Sequence, residues 1–546
     1  MSDKSSCQSL FNGGELVGSL VGHCPKVGIL EQIQELRSNL PRKRARIAYI
    51  PTASSIASTM SFDDVARLAQ QKGFFFKSAD SYPNSPAGFW DYGPLGLSMR
   101  NNLVALWRRM IVKRDGMLEI DGSQILPKAV FEASGHLSSF TDPFVRCSKC
   151  GSVFRPDKLI EEKTHKQVPE KLQDSEYDSL MANAGVKCLK CGSTLSGTGR
   201  FNMMFRVGIG PMQEEAYLRP ETCQSIFVDF PLLFKTQRVK LPVGVAQVGR
   251  SFRNEIAPRQ GLIRLRELIQ AEVEVFFNPK RTDADRFEWV QGDELTLQSP
   301  DGSSCRVTVS EGIEKGLVPN KLVGYYLALL LRFYGGAGLP EEKLRFRILS
   351  QEDRAFYSKA AYDLEVDLSM GWLELVACNC RSDYDLGRHS TVSRTDFTVN
   401  DTGEKVLPHV FELSMGIDRS LYALLETSLR SDGERRILAL KPYMAPMKAG
   451  VFPLVNKDGL QEVALEVFKE LQEKLDAFYD ESGSIGRRYA RADEVGVPYC
   501  VTIDYDTLKD KTVTLRNRDD RSQQRVPISS LMERLAAATQ YPRLSG

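Results

Sequence analysis

The chain has 546 residues, 42% of them hydrophobic and 26% charged, with 72 Lys and Arg against 70 Asp and Glu. This is an ordinary globular composition for three or four domains, and it excludes a disordered chain, a collagen and a small disulfide scaffold. A net charge of +2 means that any nucleic-acid surface must be local.

Residues 1–59 carry a basic cluster, Arg42, Lys43, Arg44 and Arg46, but no continuous apolar signal region. They read as a loosely ordered N-terminal extension of unknown role, with organelle targeting the less favoured alternative. Residues 62–72 have helical periodicity through Phe62, Val65, Ala66 and Ala69. A Gly/Pro-punctuated stretch leads to a second amphipathic helix over 97–112. Two cysteine pairs bracket a charged insertion, 151–187. Strand-like runs follow, VGVAQVGRSFRNE and ELIQAEVEVFF. Residues 282–340 look like another insertion, with a hairpin around Gly302 and an apolar helix over 322–331. Lys321 and Arg332 flank that helix, which is too short to span a membrane. Strands GWLELVACNC and PHVFELSMGI come next, the latter running into a helix, DRSLYALLETSL. Residues 431–436 are polar and hinge-like. Strand AGVFPLV, helix LQEVALEVFKELQEKLDAFY and strands VGVPYCVTI and KTVTLRNR then spell a separate α/β domain.

Four of the eleven cysteines form Cys147-x2-Cys150 and Cys188-x2-Cys191, each pair followed by glycine. Four thiolates satisfy tetrahedral zinc and leave no open position, so the ion is expected to be structural. The other seven are scattered and odd in number, which fits a reducing compartment. The expected location is the cytoplasm.

Arg253 and Glu255 lie two apart and share a strand face. Arg259, Arg264 and Arg266 follow, then Glu267, Glu272 and Glu274. Arginine grips phosphate and glutamate grips an ammonium; read alone, the pattern equally describes a salt-bridged sheet edge. Further on, Glu412 and Ser414 alternate on one strand face, Gly416 permits a tight turn, and Arg419 opens a helix. Residues 509–525 hold six basic residues against three acidic; charge alone does not separate a tRNA-backbone strip from a solvated hairpin.

Together these segments are specific. RSFRNEIAPR and the RE that follows resemble the second motif of class II aminoacyl-tRNA synthetases, and FELSMGIDRSLY resembles the third. FWDYGPLGLSMRNN, YLRPETCQSIFVDF, GWLELVACNCRSDYDLGRHS and the terminal RADEVGVPYCVTIDYDTLKDKTVTLRNRD are similar to the homodimeric glycyl-tRNA synthetase family, over about residue 62 to the C-terminus. The zinc-like pairs resemble its archaeal-type members.

The resemblance implies an α+β fold: a class II antiparallel sheet flanked by helices with a zinc-binding insertion, then a C-terminal α/β anticodon-binding domain. The expected boundaries are 60–435 for the catalytic domain, with insertions at about 145–200 and 280–345, and 436–546 for the anticodon domain. The implied reaction is glycine–tRNA ligation through glycyl-adenylate, by a homodimer without membrane contact. Arg253, Glu255 and Arg419 would be catalytic. Asn254, Ile263, Leu268, Glu374, Leu375 and Gly416 would join them around ATP. Arg155, Glu221, Glu272, Arg381, Glu412 and Ser414 would bind glycine, with Arg381 on its carboxylate. Glu374 and Glu412 would hold the Mg²⁺ that accompanies ATP. The chain departs from the family at Leu268, Met415, Cys223, Ser225 and 378–380, without losing an assigned charge. The rivals are a catalytically dead synthetase-like module and a synthetase for another small amino acid. Retention of Arg253, Glu255, Arg419, Glu221 and Glu272 argues against the first; Glu221, Glu272 and Ser414 argue against the second. No HIGH-like, KMSKS-like or P-loop string occurs.

Overall fold

The computed structural model describes residues 61–542 apart from 167, 170, 171, 259, 260, 356 and 434. The N-terminal extension and Arg259 therefore lie outside the described residues.

The first helix, α1 (Phe62–Gln71), starts where a helix should. Ser61 accepts from the backbone of Asp64 and Asp64 reaches back, and Val65, Leu68 and Ala69 point inward. The second amphipathic stretch is shorter than its periodicity suggests. Helix α2 (Pro94–Trp107) opens on proline and passes into a π-helical turn at Arg108–Val112. The extra residue in that turn lets Ile111 and Val112 both be buried.

Nine strands form the central sheet: β1 (Leu118–Ile120), β2 (Val243–Phe252), β3 (Glu267–Phe277), β4 (Glu294–Gln298), β5 (Ser304–Thr308), β6 (Leu344–Ile348), β7 (Ala361–Leu368), β8 (Gly371–Ser382) and β9 (His409–Gly416). Their order is β5-β4-β6-β7-β8-β9-β3-β2-β1, antiparallel except where β1 meets β2 and β4 meets β6. The hairpin around Gly302 is thus the edge of the main sheet rather than a free-standing insert.

Helices cover both faces of the sheet. Ala271, Val273 and Val275 of β3 share one core with α2, the apolar helix α5 (Lys321–Ala337) and α7 (Ile417–Ser428). Phe276 and Val245 share another with α4 (Cys223–Gln237) and α6 (Tyr384–Ser393); α3 (Lys128–Ser134) packs against α6. A sheet buried on both faces should be apolar on both. At Glu272 and Glu274, both wholly buried on the α4–α6 side, it is not.

Between residues 141 and 202 the chain leaves this body as a small unit. Strands Thr141–Arg146, Val153–Phe154 and Gly199–Asn202 pair together. Helices Pro156–Thr164 and Asp174–Asn183 close a core of Val145, Phe154, Leu159, Ile160, Tyr177 and Met181.

The C-terminal sheet comprises β10 (Ala449–Pro453), β11 (Ala477–Tyr479), β12 (Tyr499–Ile503), β13 (Thr512–Asn517) and β14 (Gln523–Pro527), ordered β11-β10-β12-β13-β14. Helices α8 (Leu460–Gln472), α9 (Ile485–Glu494) and α10 (Ile528–Ala538) complete it. Two expectations are corrected here. The helix expected over 460–479 stops at Gln472, and its tail becomes β11 because β10 offers it a parallel partner. The polar hinge is a hairpin, Leu429–Asp432 with Arg435–Leu438. Arg435 donates to Asp493, and Arg518 donates to the carbonyls of Leu438, Leu440 and Gly496.

The basic strip at 509–525 divides: Lys509, Lys511, Arg521 and Arg525 are exposed, and two of its arginines turn inward. Arg516 and Arg518 are buried, Arg516 on Asp493, while Arg525 pairs with Asp504 and Asp510. Among the described residues no helix is long and apolar enough to cross a membrane.

Candidate active site

Register assembles the site. In the antiparallel ladder Glu272 stands between Gln247 of β2 and Ser414 of β9, and Glu274 stands opposite Glu412. Across β9, Glu412 faces Asn379 of β8. Alternation puts these side chains on the α4–α6 face.

Glu272 is gripped at both oxygens. Ser414 Oγ donates to Oε1 at 2.5 Å and Thr222 Oγ1 to Oε2 at 2.5 Å, with Gln270 Nε2 3.0 Å from Oε1. Thr222 and Glu221 come from the turn before α4. Arg219, wholly buried, anchors that turn by donating to the carbonyls of Arg250 and Gly122. Glu221 accepts from the Cys223 thiol at 3.0 Å and from Gln224 at 3.2 Å, and it meets His136 Nε2 at 3.2 Å.

The electrostatics are those of a cation trap. Burial opposes ionisation of Glu221, yet His136 and then Arg381 hold it well below the usual carboxylate range. Burial and the neighbouring Glu221 raise Glu272, and burial and Glu412 push Glu274 well up. Glu412 is pushed up to about 8 by burial, against the pull of Arg381. Both carboxylate oxygens of Glu274 lack a hydrogen bond.

Arg381, expected on the glycine carboxylate, is bound to acids of the protein itself. Its guanidinium is wholly buried. It donates twice to Asp385, at 2.7 and 2.9 Å, and once to Glu412 at 2.8 Å, and it lies 3.7 Å from the centre of the Tyr357 ring. So placed, it stands among the carboxylates of the pocket itself. Arg155 is likewise engaged, with Asp157 at 2.9 Å and Asp142 at 2.7 Å. Asp142 feels Glu255 and Arg264, so Arg155 stands toward the second-motif loop.

The other end of the face gathers the nucleotide candidates. Arg419 donates through Nε to the Ile263 carbonyl and through a terminal nitrogen to the Glu374 carbonyl, both at 3.2 Å; the Glu374 carboxylate is 3.3 Å away. Glu374 reaches this face because the β7–β8 register skips Leu375, a bulge that reverses the alternation. Arg253 donates through Nε to the Pro220 carbonyl at 3.0 Å, placing it beside the turn that carries Glu221. Glu255 Oε2 is buried without a hydrogen bond, 3.9 Å from Arg264. Asn254 is held through its backbone to Met203. Leu268 packs at the edge of the main core. Gly416 makes no left-handed turn: with φ −80° and ψ 106° the strand runs straight into α7.

Glu374 and Glu412, expected to share magnesium, are not brought together. Glu412 faces Asn379, five residues along β8 from Glu374, a separation of roughly 15 Å at strand rise. Glu374 keeps other acidic company. Burial, and then Glu374, push Asp363 up to about 8, and Glu365 lies directly opposite Glu374 in the ladder.

The four paired cysteines converge. Their sulfurs all lie within 4.8 Å of one another, with Cys147 to Cys191 at 3.5 Å and Cys150 to Cys188 at 3.6 Å. All four are free thiols.

Sequence reading did not pick out His136, Thr222, Gln270, Asp385 or Asp418. Asp418 precedes Arg419 and accepts from Tyr92 Oη at 2.5 Å and from the Ile269 backbone at 2.7 Å, tying α7 to β3. Only its place next to Arg419 pointed to it; His136 is 85 residues from Glu221 and had no spacing signal at all.

The tRNA synthetase class II core domain (G, H, P, S and T) matches residues 205–428, and the anticodon binding domain matches 448–538. Glycine–tRNA ligase of Methanocaldococcus jannaschii is 36% identical over 568 residues, covering 87% of this chain and 98% of that protein. The Pyrococcus horikoshii enzyme is 39% identical over 554 residues, covering 86% and 97%. The chain belongs to the glycine–tRNA ligase family. The fold of prolyl-tRNA synthetase from Cryptosporidium parvum is similar, with a TM-score of 0.53 at 12% identity over 89% of this chain and 77% of that one. The class II core match ends at the last residue of α7, and the anticodon-domain match opens one residue before β10. The hairpin at 429–438 falls between the two matched regions.

Proposed function

We infer that the chain is a glycine–tRNA ligase, and that one sheet face performs its first step. The observation that carries the reading is the continuity of that face. Arg253 and Arg419 stand at its nucleotide end, and Glu221, Glu272 and Glu412 form a pocket at the other. In that step the glycine carboxylate attacks the α-phosphorus of ATP; a P–O bond forms and pyrophosphate leaves with the broken one. The 3′-terminal ribose hydroxyl of tRNA then attacks the adenylate carbonyl and AMP departs. The nucleophile of the first step is already ionised, so no general base is needed. The work is positioning and charge neutralisation.

Arg253 would neutralise charge developing on the α-phosphate. Arg419 and the Ile263 segment would bracket the nucleotide. Glu272 and Glu221 would take the ammonium, with Ser414 and Thr222 orienting Glu272. Five carboxylates around Arg381, counting Glu274 and Asp385, favour a cationic ligand. Overlap with this closely bonded floor would reject larger amino acids more strongly than a missing methylene would.

Of the two carboxylates assigned to magnesium, only Glu374 fits, beside Arg419 with Asp363 and Glu365 near; Glu412 is taken by Asn379 and Arg381. Bound there, the ion would supply further charge neutralisation of the triphosphate. Zinc fits the thiol cluster. Four sulfurs about 2.3 Å from a tetrahedral ion stand about 3.8 Å apart, close to the separations above. The C-terminal domain would hold the anticodon arm. The expected division lies at 60–435 and 436–546, and the expected homodimer would cover exposed Phe76 and Leu97 on either side of the WDYGP segment.

Amino-acid-dependent ATP–pyrophosphate exchange across all twenty amino acids tests the reading. Glycine alone should support exchange. Exchange with alanine or serine but not glycine would overturn it.

A further inference from the structure

We propose that His136 is a positioning residue for amino-acid recognition: it pins one oxygen of Glu221 so that the other is presented to the incoming ammonium. The inference rests on the glycine-pocket reading above.

The donors around Glu221 are one-sided. His136 Nε2 at 3.2 Å, Cys223 Sγ at 3.0 Å, Gln224 Nε2 at 3.2 Å and, more distantly, Arg381 at 3.7 Å all approach Oε1. Among the described residues none donates to Oε2. A carboxylate held this way has a fixed plane and one oxygen with its lone pairs unspent, which is what an ammonium needs. A thiol is a weak donor, and Gln224 is itself oriented from behind by His389, 3.0 Å away. Of the neighbours of Glu221, His136 does most to hold its carboxylate in the ionised form.

His136 is held in turn. It is 2% exposed, and its ring lies edge-on to Phe131 and Phe140. Its Nδ1 is 2.7 Å from Ser134 Oγ. Gly135 between them has φ +86°, a left-handed conformation that glycine adopts without strain and that folds the two side chains onto each other. The serine hydroxyl serves both protonation states. When it donates to Nδ1 of the neutral ring, a contact of 2.7 Å against 3.4 Å for its alternative donation to the Phe131 carbonyl, the ring proton stands on Nε2; it accepts from Nδ1 of the imidazolium. In both arrangements Nε2 carries a proton toward Glu221. Only the neutral tautomer with its proton on Nδ1 would release Glu221, and Ser134 disfavours it.

The test compares two amides in the full-length protein by ATP–pyrophosphate exchange. The amide nitrogen of glutamine reaches the place of imidazole Nε2; that of asparagine reaches only Nδ1. His136→Asn should raise the KM for glycine by roughly ten- to a hundredfold, the loss of one hydrogen bond to a charged group, with the KM for ATP little changed. His136→Gln should restore most of the loss. Ser134→Ala should raise the glycine KM severalfold, since the neutral ring is then free to choose its tautomer. Equal behaviour of the Asn and Gln variants, or parallel losses for ATP and glycine, would overturn the proposal. Glu221→Gln separates the two readings. If it destroys glycine affinity while His136→Asn does not, the pocket stands and the role of His136 falls. If it leaves the glycine KM unchanged, the pocket reading itself fails.

Discussion

Two buried side chains on neighbouring elements show how the pocket is kept in shape. Arg381 is saturated by Asp385 and Glu412, and His389 stands beneath Gln224. Burial drives the His389 imidazole down to about 4 from an ordinary 6.5, so it is neutral in the folded protein at pH 7. Below pH 6.5 the unfolded chain takes up a proton that the folded chain refuses. Stability therefore falls as the pH drops from about 6.5 toward 4, by about 1.4 kcal/mol per pH unit at most. His389→Gln keeps a donor for Gln224 and removes the titration. Its melting temperature is expected to fall less steeply than that of the unaltered protein between pH 6.5 and 5. Parallel pH profiles from calorimetry would mean that His389 is not the group responsible.

At the scale of elements, the turn before α4 is the part that close packing controls most tightly. A β-carbon at Gly249 of β2 would lie 2.1 Å from a terminal nitrogen of Arg219 and 3.5 Å from Thr222 Cγ2. Arg219 cannot step aside, since it is wholly buried and bonded to the carbonyls of Arg250 and Gly122. Gly249→Ala is expected to destabilise by about 1–3 kcal/mol, as overpacking does. Glycine should also bind more weakly, because Thr222 and Glu221 ride on the displaced turn. Urea titration and exchange kinetics measure the two effects; an alanine variant with an unaltered midpoint and glycine KM would show that the turn does not lean on Arg219. The bulge at Leu375 matters in the same way, since without it Glu374 would face the opposite side of the sheet from Arg419.

Over the whole molecule, the 141–202 unit and the C-terminal sheet have cores of their own, and polar contacts tie each to its neighbours, while Leu438, Leu440 and Met444 belong to the main core. In the 141–202 unit, Arg155 grips Asp142, which feels Glu255 and Arg264 of the second-motif loop. A loosened insertion should therefore be felt at the nucleotide end. Reduced protein is expected to carry one zinc per chain by metal analysis. Cys191→Ser should lose it, become sensitive to protease between residues 141 and 202, and show a raised KM for ATP while the main melting transition persists. Stoichiometric zinc in that variant would remove the four-thiolate site. At the other junction Asp493 receives both Arg435 and Arg516, and Arg518 binds carbonyls on either side of the link. Of the basic run at 509–525, Arg516 and Arg518 are thus used internally while Lys509, Lys511, Arg521 and Arg525 stay exposed; charge counts along a chain do not reveal which guanidinium groups meet partners inside it.

Period and composition were enough to place the strands through Glu272, Glu274, Glu412 and Ser414, the helix opening at Arg419 and the four converging cysteines. Each of those depends on neighbours along the chain or on the fixed alternation of a strand. Tertiary structure decided the rest. It chose which oxygen of Glu221 is spent, turned Arg381 inward, rotated Glu374 through a bulge, parted Glu374 from Glu412 and brought His136 to the pocket. Hydrogen bonding and burial are settled by contacts between distant segments, and those exist only once the sheet has set its register and the helices have closed over it.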